Sequence, residues 1–96
     1  MTDLSIVLPA HNEAANIAPV CAALEQILAP LGRTEIVFVD DGSSDGTLAA
    51  IRAAARNSAV RSLAFTRNFG HQAALRAGLR HARGRAVIVM DCDFEH

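Results

Sequence analysis

Ala86-Val-Ile-Val-Met-Asp91-Cys92-Asp93-Phe94-Glu95 decides how the rest of the chain is read. Five apolar residues, three of them Val or Ile, run straight into two aspartates one residue apart. A short apolar run of this kind reads as a buried strand of a parallel sheet covered on both faces. The aspartates fall where the strand leaves the sheet, and open α/β folds bind ligands at the carboxyl ends of their strands. Two carboxylates that close repel each other unless a positive charge stands between them. A divalent cation with oxygen ligands meets that need, so the stretch predicts an Asp-x-Asp metal site.

Composition narrows the class. A chain of 96 residues, 51% hydrophobic and 20% charged, makes one small globular domain. The formal net charge of −1 offers no bulk electrostatic case for nucleic-acid binding. All nine basic residues are Arg, for which the sequence suggests no function. Cys21 and Cys92 stand far apart and make no disulfide framework, which points to a reducing, cytoplasmic compartment. No run approaches the roughly 20 apolar residues of a membrane span, and Met1-Thr-Asp3 does not begin a signal peptide.

Upstream of the aspartates the pattern repeats. Leu4 to Leu8 reads as a first strand ended by Pro9. A helix follows, capped at Asn16 so that Pro19 falls in its first turn, with Ile17, Val20, Cys21, Leu24, Ile27 and Leu28 on its apolar face. Pro30 and Gly32 close it. Glu35 to Val39 is a second strand, emptying into Asp40-Asp41-Gly-Ser-Ser-Asp45-Gly46, where Ser44 or Asp45 caps a helix over 47–56. Val60 to Phe65 is a third strand, and a helix over 72–83 ends at Gly84. The result is βαβαβαβ with crossovers of roughly 20 residues or more, long enough for parallel connections. The expected fold is a three-layer α/β/α unit over 1–96 with strand order 3-2-1-4.

In such a unit the four carboxyl-end loops share one rim. Glu13, Asp40, Asp41, Asp45, Asp91, Asp93 and Glu95 would gather there, a costly density of negative charge for a purely structural surface. Helix capping accounts for Asp45 and competes for Glu13. There is no G-x-G-x-x-G after strand 1 and no G-x-x-x-x-G-K-[ST], so phosphates bound here would be held through a metal. His71, His81 and His96 read as surface or loop histidines, Arg76, Arg80 and Arg83 as a solvated helix face, and Cys92 as a small buried filler. Arg67 differs because it sits on the rim.

Ser5-Ile-Val-Leu-Pro9-Ala-His-Asn-Glu13, Val37-Phe-Val-Asp-Asp41-Gly-Ser-Ser-Asp45 and Val89-Met-Asp91-Cys-Asp93 stand in the order and spacing of family 2 glycosyltransferases, which the chain resembles over essentially its whole length. Arg67-Asn-Phe-Gly-His-Gln-Ala-Ala-Leu75 and Glu95 look like the branch of dolichol-phosphate mannosyltransferases and bactoprenol-phosphate glucosyltransferases. The resemblance implies the nucleotide-binding, Rossmann-like half of a GT-A fold. It also implies a UDP- or GDP-sugar donor, Mg²⁺ or Mn²⁺, and inverting transfer of a hexose to a polyprenyl phosphate. Carried over by position, Pro9, His11 and Glu13 would line the nucleotide pocket, with His where relatives often have Tyr. Val39 and Asp41 would contact the base, and Asp91 and the Cys92 backbone the ribose and diphosphate; Arg67, from its place on the rim and not from the resemblance, is a candidate phosphate contact. Asp93 would ligate the metal with Asp91 and Glu95.

The departures are Cys92 for a usual Ala and Phe94-Glu95 for a common Leu-Gln pair. A sequence that stops directly after the aspartate motif is expected to be a truncated piece. It would lack the acceptor side, any catalytic base and any membrane segments, and have little activity by itself. In the whole protein those segments would hold the enzyme at the cytoplasmic face of the membrane. Two other readings compete: an inactive nucleotide-binding fragment, and a haloacid-dehalogenase-type phosphohydrolase. The latter also opens with strand plus Asp-x-Asp, but normally has Thr or Val where this chain has Glu95.

Overall fold

The computed structural model describes residues 1–57 and 59–92. Strands β1 (Leu4–Ala10), β2 (Thr34–Asp40), β3 (Val60–Ala64) and β4 (Ala86–Val89) alternate with helices α1 (Ala14–Leu28), α2 (Thr47–Ala54) and α3 (His71–His81). Every strand pair is parallel and the order is β3-β2-β1-β4, as the sequence led one to expect. In register, Ala10 lies opposite Asp40 and Asp40 opposite Ala64, so the strands end together at one rim.

Alternation along the strands divides the core in two. Ile6, Leu8, Ile36 and Phe38 point to the face covered by Ile17, Val20 and Leu24 of α1 and Ile51 of α2. Val7, Val37 and Val39 point to the opposite face, under Ala74 of α3. α3 comes very near the sheet: a Cβ on Gly78 would stand 2.3 Å from Val7 Cγ1. Ala14–Leu31 is long and apolar enough, at mean hydropathy 1.3 over 18 residues, to resemble a spanning helix. Its apolar stripe is instead spent on this core.

Ile27, expected on the apolar face of α1, is exposed. Two larger expectations need correcting. α1 begins at Ala14 rather than after Asn16, which leaves Pro19 in the second turn. The start is set from outside the helix: Thr47 Oγ1 accepts the Glu13 N–H at 2.8 Å, and the Glu13 carbonyl accepts the Asn16 N–H at 2.9 Å. Pro19 cannot donate to the Ala15 carbonyl, but both residues are exposed and water can reach that oxygen. The second correction concerns β4. Val87, Ile88, Val89 and Met90 are 37–49% exposed, not buried on both faces. Among the described residues β4 stands at the edge of the sheet, paired with β1 alone, and the three helices cover the other strands.

At the amino-terminal end of the sheet, buried Glu35 collects donors from three directions. Its carboxylate accepts the Ser5 hydroxyl at 2.6 Å, the Arg83 N–H at 2.6 Å and Arg61 Nη1 at 2.9 Å. Ser5 Oγ in turn accepts the Gly84 N–H at 2.8 Å, and a Cβ on Gly84 would lie 2.6 Å from the Ser5 nitrogen. This cluster fastens the α3–β4 connection beneath the sheet. Burial works to raise the Glu35 pKa, but the bonds from Ser5, Arg83 and Arg61 outweigh it and hold the carboxyl below its usual value. The stabilisation is therefore present above the unfolded Glu value of about 4.3 and is lost as pH falls through the lower folded value. Glu35→Gln should cost about 1–3 kcal/mol at neutral pH. It should also flatten the loss of urea stability between pH 5 and pH 3; an acid slope equal to that of the parent protein would show that Glu35 is not the group titrating.

Candidate functional site

The rim loops, loop 1 (residues 11–13), loop 2 (residues 41–46) and loop 3 (residues 65–70), are tied to one another by short polar side chains. Asn12 adopts φ 54° and donates its N–H to Ser43 Oγ at 2.9 Å, while its Oδ1 accepts the Ser44 N–H at 2.9 Å. A left-handed residue suits Asn better than most, and it turns loop 1 onto loop 2. Asp40 closes loop 2 on itself by accepting the Ser43 hydroxyl and, at 3.3 Å, its N–H. Asp45 accepts the Thr47 hydroxyl and, at 2.9 Å, the Thr47 N–H; the N-cap position of α2 is Gly46, so Asp45 braces the first turn from one residue outside it and is not the expected cap. The Thr47 hydroxyl is the main cause that holds the Asp45 carboxyl below its usual range.

Loop 3 docks on loop 2 through Asp41 and Gly42. Asp41 Oδ1 accepts the Phe69 N–H at 2.9 Å. Gly42, at φ 64°, lies so near loop 3 that a Cβ would stand 2.0 Å from the Arg67 carbonyl carbon and 2.2 Å from the Asn68 nitrogen. Only glycine serves there, on conformational and steric grounds alike. Phe69 packs edge-on against Phe65 at 5.5 Å, and the Arg67 guanidinium sits 4.5 Å above the Phe69 ring.

These ties leave a cavity of about 340 Å³ at the rim, between β1 and the end of β4. Pro9, His11, Glu13, Asp41, Asp91 and Cys92 all line it, so six of the residues singled out in the sequence meet there. Val39 does not; its side chain is fully buried beneath α3, and any ligand contact would fall to its backbone. Arg67 is occupied with Phe69 and is not in the wall. Asp93 and Glu95 lie outside the described residues. Asp40 and Asp45 are engaged in closing loop 2 and bracing the first turn of α2, and neither lines the cavity. Cys92 is buried in the core cluster, in keeping with a small filler.

Asn68 and His71 line the cavity too, although neither stood out in the sequence. His71 reads from the sequence as a surface or loop histidine, and both residues sit in the Arg67–Leu75 stretch that carries the branch resemblance, where neither is given a role. His11 Nδ1 lies 2.9 Å from the Asp41 carbonyl, which can only accept, so Nδ1 carries the hydrogen. The Asn68 Nδ2 stands 3.1 and 3.3 Å from the two ring nitrogens. An atom nearly equidistant from both cannot lie in the ring plane without striking the carbon between them, so the amide rests over the imidazole face.

Chemically, the cavity offers hard oxygen donors in Glu13, Asp41 and Asp91 beside one imidazole face and a carboxamide. Among the described residues no three His, Cys, Asp or Glu side chains gather closely enough to hold a metal. Asp91 is the described member of the expected ligand trio, and its carboxylate suits a hard divalent cation.

The model of the glycosyl transferase family 2 domain matches residues 5–96. The chain belongs to that family. Among curated family relatives, the undecaprenyl-phosphate 4-deoxy-4-formamido-L-arabinose transferase of Pseudomonas aeruginosa is 40% identical over 96 residues, covering 97% of this chain and 28% of the relative. The chain thus spans less than a third of such relatives. The mannosyltransferase PcManGT from Pyrobaculum calidifontis, solved in complex with GDP-Man and Mn²⁺, superposes with TM-score 0.84 at 32% identity, over 94% of this chain and 27% of its own. S. aureus TarS in complex with UDP-GlcNAc superposes with TM-score 0.85 at 26% identity, over 96% and 27%. Both are glycosyltransferases of the GT-A fold, so this chain carries the Rossmann-like part of that fold.

Gly42→Ala should push loop 3 away from loop 2, at a stability cost of about 1–3 kcal/mol. Hydrogen exchange should then show the Phe69 amide losing protection while the β1 and β2 amides keep theirs. Full protection of Phe69 in this variant would mean that the loops are held by something else.

Proposed function

We propose that the protein transfers a hexose from a nucleoside-diphosphate sugar to a polyprenyl phosphate with inversion, using Mg²⁺ or Mn²⁺. The observation that carries this is the meeting of Pro9, His11, Glu13, Asp41, Asp91 and Cys92 in one cavity at the carboxyl rim. The named substrate of the relative supports a lipid phosphate as acceptor, and the GDP-Man and Mn²⁺ of the solved neighbour support a metal-held nucleotide sugar.

In this reading Asp41 accepts the ring N–H of the base, and Pro9, His11 and Glu13 wall the nucleotide. Asp91 and the Cys92 backbone meet the ribose and diphosphate, and Arg67 swings from Phe69 to a phosphate. Asp91, Asp93 and Glu95 hold the cation, which when bound neutralises charge on the departing nucleoside diphosphate. Inversion follows from a single displacement: an acceptor phosphate oxygen bonds to the anomeric carbon as the bond to the donor's diphosphate oxygen breaks. A phosphate oxygen is already ionised, so it needs less help from a protein base than a sugar hydroxyl would. In this reading the transfer takes place at the cytoplasmic face of the membrane. Residues 1–96 by themselves would bind donor and turn it over little.

Calorimetry with UDP and GDP in the presence of Mn²⁺ tests the donor side. Asp93→Ala should weaken metal-dependent binding roughly tenfold or more, in line with the loss of a metal ligand. Metal dependence equal to the parent protein's would remove Asp93 from the site. Sugar transfer to a polyprenyl phosphate by the intact protein tests the acceptor, and release of free sugar alone would contradict it.

A further inference from the structure

Charge is spread unevenly over the molecule. From Thr66 to Met90 the chain carries five Arg and no Asp or Glu, although its formal net charge is −1. Four of the five, Arg76, Arg80, Arg83 and Arg85, lie on α3 or on the connection from α3 to β4, and all four are exposed. Gly78 faces the sheet, against Val7 and Val39. Arg76 and Arg80 stand two residues to either side of it, so at 3.6 residues per turn both point away from the sheet. The helices on the opposite face are mixed in charge, with Glu25 on α1 and Arg52 and Arg56 on α2.

Counter-charges do not reach this surface. Among the described residues the ion pair is Arg61 with Glu35, whose carboxylate also holds the Ser5 hydroxyl and the Arg83 N–H. Asp3 is near, since its carbonyl accepts the Ala86 N–H at 3.0 Å, but it forms no ion pair among the described residues. The side chains of Arg76, Arg80 and Arg83 have no bonding partner there either. Folding therefore makes no use of these charges, and a basic surface without counter-charge attracts an anionic partner.

The shape of the surface favours an extended partner. Arg76 and Arg80 project from the convex side of an 11-residue helix, about 16 Å long, and meet a flat array of anions better than one small ion. His71, the first residue of α3, lines the rim cavity, so a molecule lying on α3 brings that cavity to the same plane.

We infer that the outer face of α3, Arg76 and Arg80 continued by Arg83, docks on the headgroups of an anionic lipid bilayer. The inference deepens the membrane-face reading above and rests on it for the choice of a bilayer over nucleic acid. The attraction is electrostatic and screened by salt. Leu79, 47% exposed on the flank of the same helix, adds a small apolar contact.

Co-sedimentation of the protein with phosphatidylcholine vesicles, with and without phosphatidylglycerol, tests this. Nucleotide, metal and polyprenyl phosphate are left out, so donor and acceptor chemistry play no part in the result. Binding should be at least roughly tenfold tighter with phosphatidylglycerol at low salt, and should vanish near 1 M salt, where the screening length is about 3 Å. Arg76→Gln combined with Arg80→Gln should weaken it roughly twentyfold, at about fivefold per Arg near an anionic surface. Arg52→Gln combined with Arg56→Gln removes the same charge from exposed positions on α2 and should change it less than about twofold. Equal loss in the two double variants would reduce the effect to net charge and overturn the inference, as would binding indifferent to phosphatidylglycerol. Displacement from the vesicles by single-stranded DNA at equal phosphate concentration would assign the face to nucleic acid and overturn it too. Each of these outcomes leaves the sugar-transfer reading standing; that reading fails separately, if the protein transfers no sugar to a polyprenyl phosphate.

Discussion

The parallel ladder centred on β1 is the constraint from which the site follows. β1 is hydrogen-bonded to β2 on one side and to β4 on the other, and all strands run the same way. Each strand must then release its chain at the same edge, and each return crosses a face of the sheet as a helix. Loops 1, 2 and 3 and the end of β4 meet at that edge without any attraction between them. Because β1 and β4 are neighbours in space but about 80 residues apart in sequence, Pro9–Glu13 and Asp91 come to border one cavity.

The two ends of the sheet use polar groups differently. At the amino end the Glu35 carboxylate is saturated by Ser5, Arg61 and the Arg83 amide, so its charge is consumed in holding the chain together. At the carboxyl end the ties are made by neutral groups and by carboxylates that give up only part of their capacity. Asp40 and Asp45 close their own loops, whereas Asp41 lines the cavity while its Oδ1 anchors loop 3. A rigid lower edge and an upper edge with spare acceptors suit a domain that must hold its shape while binding a polar ligand.

Local chemistry explains what could be read early and what could not. The strands were legible because β-rich apolar runs ended by Pro or Asp have few other uses, and the strand order was anticipated. The start of α1 was misread because a helix-intrinsic rule about Pro19 was set against a contact from Thr47, more than thirty residues away, and the contact prevails. Val87 to Met90 looked like a buried strand, but apolarity does not say which strand takes the sheet edge. Asn68 was passed over because its part depends wholly on where Gly42 lets loop 3 lie.

The sequence by itself determined the α/β class, the parallel order and the carboxyl-rim position of Pro9, His11, Glu13, Asp41 and Asp91. These follow from apolar periodicity and from the rule that parallel strands end at a common edge. Only the tertiary structure decided which carboxylates remain open to the cavity, which face of His11 is covered, and that Val39 and Arg67 turn elsewhere. The physical reason is that hydrogen-bond capacity is shared through space. Whether an aspartate such as Asp41 or Asp40 is available to a ligand depends on the donors that folding has already brought to it.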